Sequence, residues 1–412
     1  MLTLALPWSL VCAVEPPPVD VYTTLAAGSG TYFIALNNGT KLTGSTTSFL
    51  LRIKTNGAIE YVQRLTSEDV QFVHDYRPFK KGQKTFFLTD HIGPEAIGLC
   101  KQLADERVEP CFRVDYLDSH ELISYPNGDF LVFLYQPRPN SVGLFKKGIL
   151  DLVIRRYSLS HKLVWEWSSN GHLDPNDSVA NVDETFLRYT ISLARHFFAY
   201  LLDSFGVKLP YRLPLIGKAV DYSYNDYVHG NSIETDDDGG LIVSARHLNQ
   251  IIKISYPDGK IVWTLGGYRA KRSDFKIVDD PLGGFSHQHS VRRLPNGHLL
   301  LFDNGNLKPK RVSRAAEYSI HMKAREAQLV WEYRAKGGDE ALFRFAMGST
   351  QRLPNGNTVI GWGAHEPLEG NTSAPVVTEV TREGKKVFEV RALGDLMSYR
   401  AWKQLDKEVS KP

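Results

Sequence analysis

The chain alternates short apolar runs with turn signals instead of showing long helical periods. Residues 31–36 (TYFIAL) and 48–53 (SFLLRI) are rich in β-branched and aromatic side chains. The pair Asn56-Gly57 that follows them is typical of a tight hairpin turn. The pattern therefore predicts an antiparallel meander that begins with this hairpin.

One unit of this pattern recurs along the chain. Each copy has a glycine-containing turn, and a fixed strand position lies eight residues before the turn glycine. The turn glycines and the residues at that position are Gly82 with His74, Gly128 with His120, Gly239 with Asn231, Gly297 with His289, and Gly356 with Gly348. A second strand pair, with a bulky residue such as Trp263 or Trp331, follows the unit. Four-stranded units that repeat in this way indicate an all-β fold of the β-propeller type. An irregular β-sandwich is the alternative, which the in-phase turns disfavour.

The repeat is interrupted between Gly128 and Gly239. Residues 182–205 place apolar side chains on one broad face and Arg188 and Arg195 on the other, which predicts an amphipathic helix. We expect a helical insertion over residues 176–220 that packs on one face of a single propeller domain spanning 14–412. Contact of residues 182–205 with a membrane surface is the weaker alternative, because the polar face is not rich in lysine.

Composition and targeting signals bear on the partners and the localisation of the protein. The 412 residues include 49 basic and 46 acidic side chains, and this balance gives no reason to expect a nucleic-acid partner. Residues 1–13 form an apolar, signal-like segment without a basic start. Sequons at Asn38, Asn176 and Asn371 fit the same route, so we expect a secreted or secretory-lumen glycoprotein. The spacing of Cys100 and Cys111 allows one disulfide, and nothing in the sequence indicates an oligomeric state.

The repeated histidines are the strongest chemical signal. The inner strands of a propeller line its central channel, so equivalent positions in different blades converge there. Three uses are open: binding of a metal with help from Asp75, Asp118 or Glu121, nucleophilic or acid–base catalysis, and hydrogen bonding between blades. We favour catalysis, with neither a metal nor a cofactor. The histidines concerned are His74, His120, His229, His287 and His289.

Four longer stretches carry a family resemblance. They are YVHGNSI at 227–233, FSHQHSVRRLPNGHLLLFDNGN at 285–306, SRAAEY at 313–318 and GSTQRLPNGNTVIGWG at 348–363. They resemble the arylsulfotransferase (ASST) family, in its arylsulfotransferase-like branch, and the likeness covers about residues 30–405. The resemblance implies a six-bladed propeller that transfers a sulfuryl group from an aryl sulfate ester to a phenolic acceptor without a nucleotide donor. The absence of a GxxxxGK[ST] phosphate loop agrees with this expectation.

The resemblance also implies roles for individual residues. His229 matches the first family histidine, and His289, or else His287, matches the second. Arg314 is the predicted sulfate clamp, and His365 is the candidate nucleophile because Ala346 and Gly348 leave the last repeat without a channel histidine. The predicted substrate-binding residues are His120, Asn231, Tyr227, Asn304 and Arg311, and the aromatic side chains that would sandwich a phenol are Tyr222, Tyr224, Tyr227 and Trp362.

The sequence also allows a second function, which is binding without catalysis. A propeller that binds a ligand or a partner without catalysis would also explain the fold, and the missing histidine of the last repeat supports it. Turnover of a simple aryl sulfate distinguishes the two functions.

Overall fold

The architecture is a ring of six sheets around a common axis. The computed structural model describes residues 15–38, 47–66, 72–89, 96–142, 147–180, 224–335, 342–365 and 373–406. Within these ranges the strands form six mainly antiparallel sheets, and the innermost strands of neighbouring sheets lie side by side around the ring. The six-bladed β-propeller predicted from the sequence is confirmed.

The first three blades are named here from the axis outward. Blade 1 contains β26 (Leu396–Leu405), β2 (Gly30–Asn38), β3 (Thr47–Lys54) and β4 (Ile59–Thr66). Blade 2 contains β5 (Phe72–Pro78), β6 (Lys84–Thr89) and β7 (Ile97–Gln102). Blade 3 contains β8 (Leu117–Ser124), β9 (Phe130–Val142), β10 (Lys147–Tyr157) and β11 (Leu163–Ser168), and β12 (Tyr224–Asp226) pairs in parallel with β10.

The other three blades follow the same plan. Blade 4 contains β13 (Gly230–Thr235), β14 (Leu241–Ala245), β15 (Gln250–Ile254) and β16 (Ile261–Gly266). Blade 5 contains β18 (His289–Arg293), β19 (Leu299–Asp303), β20 (Arg314–His321), β21 (Glu326–Tyr333) and the outer strand β17 (Lys276–Val278). Blade 6 contains β22 (Ser349–Arg352), β23 (Thr358–Gly361), β24 (Ser373–Val380), β25 (Lys386–Leu393) and the outer strand β1 (Val19–Thr23). Short 3₁₀ helices cover Leu25–Ala27, Lys80–Gly82, Pro175–Asp177 and Arg246–Leu248.

The core is divided among the interfaces between blades. Along β2, Tyr32, Ile34 and Leu36 face blade 6, whereas Phe33 and Ala35 face blade 2. Side chains alternate between the two faces of a strand, so a strand packed between two neighbouring blades must be apolar at successive positions. This explains why the strands read as continuous apolar runs such as TYFIAL. Each of the six buried clusters joins one blade to the next.

The ring closes through the two ends of the propeller sequence. Strand β26, late in the chain, supplies the inner strand of blade 1 and pairs antiparallel with β2, with Trp402 opposite Phe33. Strand β1, early in the chain, pairs antiparallel with β25 at the outer edge of blade 6. Blades 1 and 6 are therefore each assembled from both halves of the chain.

Blade 2 is stapled at its outer edge. Cys100 of β7 forms a disulfide with Cys111, and their Cα atoms are 4.2 Å apart. Isolated bridges pair Leu99 with Phe112 and Gln102 with Val108, so the cross-linked segment takes the place of a fourth strand. The disulfide that the sequence allowed is present.

Several sequence predictions fall outside the described residues. These are the signal-like segment 1–13, most of the insertion including 182–205, and the sequon at Asn371. Among the residues that are described, no helix is both long and apolar enough to cross a membrane. Asn176 is exposed at the Pro175–Asp177 turn, and its glycosylation stays a prediction.

Candidate functional site

The polar positions of the repeat coincide with irregular pairing in the inner strands. In blades 2 to 5 the register shifts between His74 and Arg77, Leu117 and Leu122, Gly230 and Ser232, and His289 and Arg292, respectively. A bulge re-aims the side chains beside it. His229 and His287 also adopt positive φ angles of 49° and 55°, a region that residues other than glycine rarely occupy. The backbone at these histidines is therefore held by its surroundings in an uncommon conformation.

Four histidines form a chain of ring contacts at the inner ends of blades 3, 4 and 5. The ring centroids of His120 and His229 are 5.0 Å apart, those of His229 and His247 are 4.5 Å apart, and those of His247 and His287 are 6.1 Å apart. We call these four residues the histidine cluster. Tyr399 of β26 extends it, with its ring 5.4 Å from His120 and 5.1 Å from His74.

Aspartates fix the orientation of the cluster. The Nδ1 atom of His229 hydrogen-bonds the Asp226 carboxylate, and the Nδ1 atom of His120 lies 2.7 Å from Asp118 Oδ1. Asp226 also accepts from His247 Nδ1 through its main-chain oxygen, at 2.6 Å. A neutral imidazole that donates through Nδ1 carries its lone pair on Nε2. His229 and His120 are thus oriented as bases or nucleophiles that act through Nε2.

Arg246 is the charged partner of the cluster, and neither Arg246 nor His247 was predicted from the sequence. Its Nη1 atom lies 2.7 Å from His247 Nε2, and its Nη2 atom donates to the main-chain oxygen of Phe345 at 3.0 Å. The pairing register of the hairpin between β13 and β14 is the feature that would have indicated Arg246 and His247. Gly230 pairs with Ala245, so the residue after β14 must lie beside His229 at the start of β13.

Burial and neighbouring positive charge keep these histidines neutral. Burial lowers the pKa of His74 to about 4, of His247 to about 3 and of His287 to about 2. It also holds the pKa values of His229 and His289 well below the usual range, with nearby His120 and Arg246 acting in the same direction. At neutral pH these five imidazoles are therefore unprotonated.

These shifts predict a loss of stability in mild acid. The unfolded chain takes up protons on these histidines near pH 6.5, whereas the folded chain does so only at much lower pH. Because the unfolded state binds more protons, the free energy of unfolding falls as pH decreases from 6.5 to 4.5, by up to about 1.4 kcal/mol per pH unit for each histidine. Thermal unfolding across this range tests the prediction, which a constant or rising Tm would contradict. Carboxylates titrate mainly below this window.

His289 and Asn304 lie at the site but serve as a joint between blades. His289 Nδ1 lies 2.7 Å from Asn304 Oδ1, and His289 Nε2 accepts from the main-chain N–H of Met347 at 3.2 Å. The Asn304 amide donates to the main-chain oxygens of Arg344 and Met347. Both imidazole nitrogens of His289 are engaged, so its predicted catalytic role does not fit this arrangement.

Arg314 lies in the interior of blade 5, and the clamp predicted for it has no free donor. Its Nε atom donates to Asp303, Nη1 donates to Asp280 and Glu332, and Nη2 donates to Asp280 and to the main-chain oxygen of Gly284. The guanidinium is fully buried, and all five N–H groups have acceptors. Arg246 is the arginine that the fold brings to the histidines.

The remaining predicted contacts divide between the core, the surface and the channel. Tyr227 is fully buried and donates to Ser169 Oγ at 2.8 Å, and Trp362 donates to Thr378 Oγ1 at 2.7 Å, so both are packing residues. Arg311 is exposed, with its guanidinium over the Phe343 ring. Asn231 is buried and donates to the main-chain oxygen of Gln288 at 2.8 Å.

Three further predictions concern His365 and two tyrosines. His365 is buried in blade 6 just beyond the bridge between Ala346 and Ala364, and its role stays a prediction. Tyr222 lies outside the described residues, and only the main chain of Tyr224 is described.

The repeat position of blade 6 carries a glycine for a steric reason. Gly348 has φ 107°, and a Cβ atom placed on it would lie 2.3 Å from Cδ1 of Phe302. A side chain at this position would therefore displace the Phe302 ring, which belongs to the core between blades 5 and 6. The departure from the repeat reflects packing between these blades.

Next to the cluster, five charged side chains meet across the axis. Arg400 donates to Asp75 at 3.2 Å, to Glu121 at 3.1 Å and to the main-chain oxygen of Asn231 at 2.5 Å. Arg77 donates to the same two carboxylates, and Arg292 donates to Glu121 at 2.8 Å. We call Asp75, Arg77, Glu121, Arg292 and Arg400 the ionic hub.

The arginines of the ionic hub keep the Glu121 carboxylate in its charged form. Burial alone would raise the pKa of Glu121, but Arg292, Arg400 and Arg77 outweigh it and hold that pKa well below its ordinary value. Asp75 and Glu121, considered in the sequence as metal ligands, are thus committed to arginines. The hub joins side chains of blades 1, 2, 3 and 5, which places it across the centre of the ring.

Fold and site together define a six-bladed propeller with a cluster of imidazoles, Arg246 and the ionic hub gathered at its axis. A family model for arylsulfotransferase (ASST) matches residues 106–400. The chain belongs to the arylsulfotransferase (ASST) family.

Structural comparison supports the fold alone. A crystal structure of a protein of unknown function from Bacteroides caccae aligns with a TM-score of 0.51 at 13% identity, covering 91% of this chain and 99% of that one. A virginiamycin B lyase from Staphylococcus aureus is more distant, with a TM-score of 0.36 at 11% identity over 90% of this chain and 98% of that one. No curated protein sequence matches the chain significantly.

Proposed function

We propose that this protein transfers a sulfuryl group from an aryl sulfate ester to a phenol in two steps, with His229 as the nucleophile. Family membership supports the general activity. The observation that carries the mechanism is the hydrogen bond between His229 Nδ1 and the Asp226 carboxylate, which leaves the Nε2 lone pair for attack.

In the first step, His229 Nε2 attacks the sulfur atom and the bond from sulfur to the aryl oxygen breaks. The phenolate leaves with the electron pair of that bond. The resulting N-sulfoimidazolium keeps its proton on Nδ1, where it is hydrogen-bonded to Asp226. The negative charge of the Asp226 carboxylate offsets the positive charge of the ring. The neutral state of the half-buried imidazole favours this step, since a protonated ring has no lone pair to offer.

In the second step, a phenolic acceptor enters and its hydroxyl oxygen attacks the sulfur. His120 Nε2 takes the hydroxyl proton, because Asp118 holds the opposite nitrogen. The bond from His229 Nε2 to sulfur then breaks and the free imidazole returns. The ring separation of 5.0 Å between His120 and His229 allows both to address one substrate.

Arg246 is the proposed binding group for the sulfuryl oxygens. Its contacts are one imidazole and one main-chain oxygen, and none of its contacts described above is with a carboxylate. A half-buried guanidinium whose hydrogen bonds go to an imidazole and a main-chain oxygen can still bind an anionic oxygen, although the nearby Asp226 carboxylate offsets part of its charge. Arg314 differs in this respect, because three carboxylates already neutralise it.

The test is turnover of p-nitrophenyl sulfate with and without added phenol. We expect release of p-nitrophenol that accelerates with phenol, parallel lines in double-reciprocal plots, and a sulfuryl adduct on the peptide that contains His229. Absence of release from folded protein under both conditions would favour the binding function. An adduct on His365 would instead restore the nucleophile expected from the sequence.

A further inference from the structure

Asp226, His229 and His247 also have the composition and spacing of a metal site. One potential ligand atom from each residue lies within 4.8 Å of those of the other two. Two imidazoles and one carboxylate are a common set for divalent first-row transition ions, which leaves further coordination positions open. We propose that this trio binds a divalent transition ion of the Zn²⁺ class, and that the bound ion blocks sulfuryl transfer.

The three ligands are held by separate elements before any ion arrives. Asp226 ends β12, His229 precedes β13 and His247 lies in the Arg246–Leu248 turn. Main-chain hydrogen bonds tie these elements together: His247 N–H donates to the oxygen of Val228 at 3.0 Å, and Arg246 N–H donates to that of His229 at 3.1 Å. The backbone that carries the ligands is therefore formed before the ion arrives, and binding has to release the hydrogen bond of His229 Nδ1 and one of the two hydrogen bonds of His247.

The donor set also determines which ions are selected. Imidazole nitrogen suits Zn²⁺ and Co²⁺, whereas Mg²⁺ and Ca²⁺ require mostly oxygen ligands, of which the trio supplies only the carboxylate. Arg246 lies 2.7 Å from His247 Nε2 and adds positive charge at the edge of the site. This repulsion limits affinity, so we expect a dissociation constant on the order of 1 µM, in contrast to the far tighter binding of structural zinc sites.

Inhibition follows from the tautomer of His229. An ion that takes the Nδ1 lone pair between His229 and Asp226 displaces the proton now shared there. The neutral ring then carries its proton on Nε2, which removes the lone pair that attacks sulfur. This second half of the proposal rests on the proposed function, whereas binding of the ion does not.

The experiment uses the full chain and the metal alone. Isothermal calorimetry with Zn²⁺ should show one site, visible absorption of the Co²⁺ adduct should report nitrogen and oxygen ligation, and Mg²⁺ should give no heat. Asp226→Asn and His247→Ala should each weaken Zn²⁺ binding by at least about 100-fold, because loss of outer partners alone costs about 10–100-fold. His298→Ala is the matched control, since His298 pairs with Glu317 at 2.8 Å outside the cluster, and should leave binding unchanged.

The possible results distinguish the metal site from the inhibition of sulfuryl transfer by the bound ion. Failure of the wild-type chain to bind Zn²⁺, or retention of full affinity by both folded variants, would overturn the metal site. Binding with the expected variant pattern but full turnover at saturating Zn²⁺ would overturn the inhibition alone. Metal binding with no sulfuryl transfer under any condition would leave the site standing and refute the proposed function.

Discussion

His229→Ala should lower the kcat of sulfuryl transfer by about 10³-fold in protein that remains folded. His229 is the residue at which three features coincide. Its Nδ1 is held by Asp226, its ring lies 5.0 Å from that of His120, and its φ angle of 49° is one that few residues adopt. Loss of the ring removes the nucleophile and the group on which the intermediate forms.

The matched comparison uses a histidine with the same kind of partner elsewhere. His298 is also bonded through Nδ1 to a carboxylate, that of the buried Glu317, so His298→Ala removes a similar half-buried histidine of blade 5 outside the cluster. We expect that variant to retain kcat. Steady-state kinetics with p-nitrophenyl sulfate and phenol measure both variants, and a loss of less than about tenfold in His229→Ala would rule out its role as nucleophile.

Arg400→Met should lower the free energy of unfolding by about 3–5 kcal/mol. Arg400 is fully buried and donates to Asp75 and Glu121, which are also fully buried. Methionine fills much of the same volume but leaves both carboxylates with fewer positive partners in a medium that solvates them poorly. The same change removes the donor to the main-chain oxygen of Asn231, which ties blade 1 to blade 4.

Denaturant unfolding of the two proteins measures this difference. Arg107→Met is the control, because Arg107 pairs with Asp105 while its side chain remains 76% exposed, and exposed ion pairs contribute little. A loss in Arg400→Met no larger than that in the control would show that the hub does not hold the ring together.

The fold was largely predictable because the turn glycines recur in phase. Gly128 and Gly297 each follow a channel histidine by the same interval, and both sit in the hairpin between the first and second strands of a blade. This spacing is local in sequence, so it can be recognised without knowing how distant parts of the chain fold. The inner-strand placement of His74, His120 and His289 followed directly.

The site was less predictable because it depends on side-chain direction and on pairing between strands. Arg314 stands at the family-like position in sequence, yet it points into blade 5, where Asp280 and Glu332 attract it. Arg246 and His247 lie off the repeated position and reach the axis only through the register of β13 with β14. Tyr399 enters through ring closure, which pairs Gly30–Asn38 with Leu396–Leu405 from the other end of the propeller sequence.

Because the ring closes through β26, the order of synthesis limits the order in which the blades can form. A growing chain can form blades 2 to 5 from neighbouring segments as they emerge, since each of these blades takes its main strands from one stretch. Blade 1 must wait for β26, and with β26 come Tyr399 and Arg400. The histidine cluster therefore lacks the wall formed by Tyr399 until β26 has been made, so a nascent chain halted before residue 396 should carry most of the propeller with its cluster open on that side.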